Sequence, residues 1–339
     1  MSGPGFVLAP MDGMTRASFR RICFDYCADG ATTEMIQSLA LGRARRRLSE
    51  TFAETMIRLE GEGDLAAQLI GSVPEMMTES ARRLTAMGRF DAIEINMGCP
   101  ARCVVGSGNG AALLKTPERA VAVMRAVRGA TELPVRLKLR LGWDETRITA
   151  PELVAEAQAL GFQRVTVHGR TRAQMYREPV DAAAIRAICE GAKLPVYANG
   201  GVMSAGDALS FLRRTGAAGV SIGRAALKQP WIFDDIRRLR RGEPVPVREA
   251  PERVALLIRL ATMACLHRPE KVALCEMRKF SRWFLAGLTG WEDVLEAMNR
   301  VTALDDFRRL LEGFGDALAR AGDTLPHPES APEMTLDTV

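Results

Sequence analysis

The run Asp91-Ala-Ile-Glu-Ile-Asn-Met-Gly-Cys-Pro100 decides the fold. Ile93, Ile95 and Met97 alternate with Glu94, Asn96 and Gly98, the two-residue period of a strand. Gly98-Cys99-Pro100 ends the strand, because proline lacks a backbone donor and restricts the residue before it. The pattern therefore predicts a thiol presented at a strand's carboxyl end. In a parallel α/β barrel that end is the face on which active sites are built. A lone cysteine is more often simply packed. The position of Cys99 turns the reading toward function.

Outward from this strand, the same signal recurs. Strand-like segments fall at 6–10, 30–35, 66–71, 91–98, 134–142, 164–169, 195–201 and 219–223. Helical stretches separate them. Thr116-Pro117-Glu118 offers an N-cap, a proline at the first helical position and an early acid ahead of an apolar run. Residues 74–87 carry Met77, Ala81, Leu84 and Met87 at helical spacing, and further helices are expected near 16–26, 150–160, 181–190 and 205–214. Strand and helix alternating eight times predict an α/β fold, the (β/α)8 TIM barrel. A doubly wound sheet uses the same alternation but does not require eight units.

After Arg224 the pattern changes. Residues 231–241 look helical, 242–251 hold three prolines and read as a linker, and helix-period runs follow at 252–267, 270–287, 291–300 and 303–321. The expected division is a barrel over 1–241, an all-helical domain over 242–322 and a disordered tail over 323–339. Hydrophobic residues make up 47% and charged residues 26% of the 339, which suits a protein with a large core. No apolar run is long enough to span a bilayer and no signal peptide opens the chain, so the expectation is a cytoplasmic protein without a membrane partner. Seven cysteines without paired C-x2-C spacing give no metal framework. The net charge of +5 permits a polyanionic partner without requiring one.

Polar residues gather at the carboxyl ends of the expected strands. They include Asp12, Gln68, Asn96, Cys99, the pair Lys138 and Arg140 on one strand face, His168, Asn199 and Arg224. Glycines at 200, 201 and 223 let backbone N–H groups approach an anion, and loops after strands seven and eight form the usual phosphate site of these barrels. Lys138 inside an apolar strand is costly to bury unless an anion meets it, and a reduced flavin is such an anion. Gly106-Ser-Gly-Asn-Gly110 has the wrong context for a dinucleotide fingerprint and reads as a mobile lid beside Cys99.

LAPMDGMT at 8–15, QLIGS at 68–72, INMGCPAR at 95–102, GSGNGAALLK at 106–115, VHGRTR at 167–172, YANGG at 197–201 and SIGRAALKQPWIF at 221–233 resemble the bacterial tRNA-dihydrouridine synthases. EMRKFSRWFL at 276–285 is similar to the helical tRNA-binding domain of that family. Different segments resemble different bacterial subfamilies, which leaves the target uridine open. The resemblance implies FMN, with Pro10, Met11 and Asp12 beneath the flavin and Gln68, Lys138 and His168 along its polar edge. Asn199, Gly200, Gly201, Gly223 and Arg224 would hold the phosphate. Gly201 stands where the family commonly has an acid, and Asp12 replaces a smaller residue.

The chemistry that follows is reduction of a uracil 5,6 double bond, with hydride from the flavin to C6 and a proton from Cys99 to C5. A thiol in apolar surroundings stays protonated, as this role needs. NADPH or NADH would supply the electrons. Asn96 is expected at the uracil edge, with the base flipped out of the RNA. Arg140 and the basic residues Arg278, Lys279 and Arg282, opposite the Phe280, Trp283 and Phe284 face, are expected to hold tRNA bound by a monomer. A flavin barrel acting on a free pyrimidine, as dihydroorotate dehydrogenases do, would need no basic helical platform. A non-catalytic RNA-binding module would not need Cys99, Lys138 and His168 together.

Overall fold

The computed structural model describes residues 5–43 and 55–322, and the tail expected from 323 lies outside them. Eight parallel strands close into a barrel. They are β1 (Gly5–Leu8), β2 (Gly30–Gln37), β3 (Leu65–Ile70), β4 (Ala92–Met97), β5 (Val135–Arg140), β8 (Arg164–His168), β9 (Val196–Asn199) and β10 (Gly219–Ile222). The ring order is β1-β10-β9-β8-β5-β4-β3-β2, so every strand pairs with its neighbour along the barrel sequence. Between β5 and β8 a short hairpin, β6 (Gly142–Asp144) with β7 (Arg147–Ile148), projects from the strand ends; the sequence reading does not anticipate it.

Parallel strands covered by helices are buried on both faces. The outward set here is apolar: Ile93, Ile95, Met97, Leu137, Leu139, Val165 and Val167 are all 0% exposed. Burying each such side chain contributes roughly 1.5–3 kcal/mol. Glu94, Asn96, Lys138, Arg140 and His168 alternate with them and face inward. A bond from Lys138 Nζ to Asn199 Oδ1, 3.1 Å, proves the direction. It runs from β5 to β9 past the intervening β8, and only the barrel interior offers that route.

Register then places the polar groups in a row. Arg140 pairs with His168, His168 with Asn199 and Asn199 with Ser221 at the carboxyl end of the barrel. The other end is plugged. Arg136 Nη2 lies 2.6 Å from Asp64 Oδ1, Arg164 Nη1 lies 3.7 Å from Asp64 Oδ2, and the Arg164 guanidinium covers the Tyr197 ring at 4.7 Å. Gly219 makes room for that ring, since a Cβ there would meet Tyr197 Cζ at 2.6 Å.

Helices lie between the strands as expected. Pro117 opens Pro117–Arg128, but the Thr116 side chain makes no capping bond; its carbonyl accepts from Arg119 and Ala120 instead. The chain divides into two compact units, Met1–Gly223 and Arg224–Val339. Within the second unit Arg248 reaches back to Asp234 at 3.7 Å and Asp235 at 3.5 Å, tying the proline-rich segment to helix Ile232–Arg240. Burial pushes the Asp235 carboxyl up to about 6 against the opposing charge of Arg248. The second unit packs helices Ala250–Cys265, Glu270–Leu285, Trp291–Met298 and Leu304–Ala321 around Leu257, Phe280, Trp283, Phe284, Phe307 and Leu311. Among the described residues no helix is long and apolar enough to cross a membrane.

Candidate active site

Cys99 sits two residues past the end of β4, on the turn that follows it, half-buried, at the carboxyl face. Asn96 builds that turn. Its Oδ1 accepts from Gly98 N at 3.0 Å and Cys99 N at 2.9 Å, and its Nδ2 donates to Gln68 Oε1 at 2.9 Å. Gln68 Nε2 continues the chain to Glu94 Oε1 at 2.7 Å. Asn96 was expected to offer its amide to a substrate. Three of its hydrogen bonds are instead made internally, and the residue is only 6% exposed. Gln68 is buried outright and keeps one amide proton for another partner.

Burial raises the Cys99 thiol above its ordinary value. The Ala101 backbone N–H opposes this, the Asp12 and Cys103 charges add to it, and Arg140 opposes it. The balance is a protonated thiol at neutral pH. The segment behind it is anchored: Ala111 N donates to Cys99 O at 3.1 Å, and Ala111, Leu113 and Leu114 are buried. A Cβ at Gly110, which has φ +58°, would lie 2.9 Å from Cys99 O, so the close approach requires glycine.

Lys138 is half-buried beside Glu94, a carboxylate that the sequence reading passes over. Burial lowers its ammonium from 10.5 to about 8, while Glu94 and Cys99 pull upward and Arg140 adds to the fall. With one proton given to Asn199, two remain for an anion inside the barrel. Asn199 is itself fixed by its Nδ2 bond to Ser221 O, 2.7 Å.

Arg140 departs from its expected role. It is 2% exposed and donates to Gly98 O at 2.9 Å, Thr171 O at 2.9 Å and Met175 O at 2.7 Å. It thereby holds the loops after β4 and β8 together. Met175 adopts φ +52°, left-handed for a residue with a side chain, and its carbonyl receives one of these bonds. Tyr176 follows, with its ring 5.1 Å from the Arg140 guanidinium and edge-on to His168 at 6.1 Å. Only its place shortly after the HGRTR run hinted at it.

Pro10 and Met11 lead from β1 into a turn closed by Thr15, whose Oγ1 accepts from Met11 N at 3.1 Å. Asp12 is exposed at that turn, near enough to Cys99 for its charge to act on the thiol. Gly200 and Gly201 follow β9 with φ +112° and +70°, and the N–H groups of Gly200, Gly201 and Val202 make no hydrogen bond among the described residues. A Cβ at Gly200 would crowd His168 Nε2 at 3.1 Å. The helix beyond is less open than its sequence suggests: Asp207 Oδ2 already accepts from Met203 N at 3.1 Å and Ser204 N at 3.0 Å in a capping box. An anion here would therefore be met by the glycine loop, not by the helix end. Gly223 ends β10 close to Met11, and Arg224 opens the second unit.

Within the second unit Phe280, Trp283 and Phe284 are core, as expected from their spacing. Lys279 and Arg282 are exposed. Arg278 is turned aside, with Nη2 donating to Asn299 O at 2.9 Å.

The sequence profile of the dihydrouridine synthase family matches residues 7–320. The chain belongs to that family. A probable tRNA-dihydrouridine synthase of Rhizobium leguminosarum bv. phaseoli is 39% identical over 82% of this chain and 84% of its own length. The tRNA-dihydrouridine synthase B of Pseudomonas aeruginosa is 34% identical over 88% of this chain and 89% of its own. A solved morphinone reductase in complex with tetrahydroNAD covers 72% of this chain and 89% of its own, with 14% identity and a TM-score of 0.48. Family membership agrees with the motifs around Cys99, Lys138 and His168, which lie inside the matched span.

Proposed function

We propose that this enzyme reduces the C5=C6 bond of a uridine in tRNA, with FMN bound in the barrel and NADPH or NADH as electron source. The observation that carries the reading is the Cys99 thiol, kept protonated by burial, on a turn at the carboxyl end of the barrel whose backbone Asn96 holds. The relatives named as tRNA-dihydrouridine synthases supply the substrate class.

The residues present suit a flavin mononucleotide. Lys138 offers two protons to the anionic edge of the ring, with Gln68 and His168 alongside it. The N–H groups of Gly200 and Gly201 suit its phosphate, and Asn199 orients Lys138 between the two. Pro10, Met11 and Asp12, on the turn after β1, would hold the flavin ring. When bound and reduced, FMN would supply the hydride that C6 of the uracil takes up.

Cys99 Sγ delivers its proton to C5, and the thiolate left behind is reprotonated from solvent. Asn96 holds the thiol in place, and Arg140 fixes the loops on either side of it. Lys279 and Arg282 lie on the exposed face of helix Glu270–Leu285, where RNA phosphates would neutralise them. The test is mass-spectrometric mapping of dihydrouridine in an unmodified tRNA transcript incubated with enzyme, FMN and NADPH. A new dihydrouridine at one position is expected, and a transcript unchanged in mass would refute the reading.

A further inference from the structure

One cluster on the carboxyl face has no part in the mechanism above. Lys115 Nζ lies 3.9 Å from the centroid of the Trp143 ring, and the Arg172 guanidinium carbon lies 4.6 Å from the same ring. The three residues come from three consecutive barrel loops. Lys115 ends the 3-10 turn Gly110–Lys115 after β4, Trp143 is on the hairpin after β5, and Arg172 follows β8. Backbone bonds lock the Trp143 and Arg172 loops together: Arg172 N donates to Gly142 O and Ala173 N to Trp143 O, both at 2.9 Å.

Two cations at one indole repel each other, and the ring's negative face offsets only part of that. A protein that needed them only for packing would pair them with carboxylates. Among the described residues neither forms an ion pair, and Arg172 Nε is buried without a hydrogen-bond partner. Asp144 is adjacent in sequence, but its carboxylate accepts from Thr146 N at 3.0 Å and Thr146 Oγ1 at 2.7 Å. The cluster has cationic donors and lacks an anion. Arginine's fork and lysine's point charge are the two usual ways to hold a phosphate.

Its position says which phosphate. The turn that carries Lys115 is bonded to Cys99 through Ala111, and all three cluster residues stand on loops at the same carboxyl face of the barrel as the thiol. A nucleotide flipped out of its stack brings its flanking phosphodiesters to the rim of the pocket. We infer that Lys115, Trp143 and Arg172 form a binding site for a backbone phosphodiester beside the extruded uridine, the indole fixing the two cations and the cations fixing the phosphate. This rests on the tRNA reading above. The indole acts as a spacer here and not as a stacking platform for a base.

The test uses flavin-loaded enzyme and an unmodified tRNA transcript, with equilibrium binding and steady-state kinetics measured side by side. K115Q/R172Q should weaken tRNA binding on the order of tenfold and flatten the log–log salt dependence by roughly one to two, for two lost phosphate contacts. The charge-conserving K115R/R172K should keep the wild-type salt slope whatever it does to absolute affinity, a result that a purely structural role would not give. Trp143→Ala should behave like the double neutral variant and Trp143→Phe like wild type, since phenylalanine still offers a ring face. If K115Q/R172Q fails to hold flavin, K115Q alone gives the same reading at half the change in slope, because Lys115 is exposed. Unchanged tRNA affinity and salt slope in the neutral variants would overturn the proposal. So would a raised KM for NADPH with tRNA binding intact, which would assign the site to a dinucleotide phosphate. A wild-type enzyme that binds tRNA through these residues but makes no dihydrouridine would contradict the reaction and leave the phosphate site standing.

Discussion

Asn96 Oδ1 accepts the backbone N–H of Cys99 at 2.9 Å and that of Gly98 at 3.0 Å, so one side chain sets the path of the turn that carries the thiol. The same amide is braced from behind by Gln68. Cys99 thus owes its direction to a residue on the strand before it.

Asn96→Ala should therefore slow proton delivery without touching the thiol itself. The expected loss is on the order of 10²-fold in single-turnover oxidation of pre-reduced flavin by tRNA, the scale of a misplaced acid. Affinity for tRNA should change little, because Asn96 is buried. A weakened tRNA affinity with an unchanged single-turnover rate would instead make Asn96 a contact to the base.

Lys138 carries a penalty that a bound anion would offset. The fall from 10.5 to about 8 is worth on the order of 3 kcal/mol against the charged form in the folded barrel. In flavin-free protein the unfolded chain keeps this proton between pH 8 and 10.5 while the folded chain has released it. Stability from this group should accordingly rise with pH across that window. Lys138→Met should flatten the rise, raise the urea midpoint at pH 7 and abolish uridine reduction. A urea midpoint at pH 7 that falls in Lys138→Met would show that the ammonium is already paid for inside the empty barrel.

The basic face of helix Glu270–Leu285 separates into two kinds of residue. Reversing Lys279 and Arg282 to Glu should weaken tRNA binding and reduce its salt dependence, with flavin content unaltered. Arg278→Ala should instead cost about 1 kcal/mol of stability through the lost bond to Asn299 O. Filter binding across a salt series and a thermal melt distinguish them. Equal loss of tRNA affinity in both variants would return Arg278 to the RNA-facing set.

The barrel is legible in the sequence because its strands advertise two faces at once. Ile93, Ile95 and Met97 mark the helix side, and the polar residues between them mark the interior. Cys99 and Lys138 could be singled out because nothing in packing asks for them there. What could not be read are roles set by partners distant in sequence. Arg140 looks like a substrate ligand until Thr171 O and Met175 O occupy its donors. Asn96 and Glu94 look alike as inward polar residues, and only the bonds through Gln68 assign them different tasks. The β6–β7 hairpin has strands too short to leave a periodic signal, so the meeting of Trp143 with Lys115 and Arg172 was invisible too. Arg248 folds back to Asp234, a contact that no linker composition announces.

Single-turnover oxidation of pre-reduced flavin by unmodified tRNA, followed in wild type, Cys99→Ala and Cys103→Ala, tests the central claim most directly. Cys103 lies on the same loop but is exposed, which makes it the control for a nearby thiol. The account predicts a fall of roughly 10²-fold or more in Cys99→Ala, with flavin binding and reduction by NADPH retained, and little change in Cys103→Ala. Equal rates in wild type and Cys99→Ala would contradict it, and a loss confined to Cys103→Ala would move the proton donor to that residue.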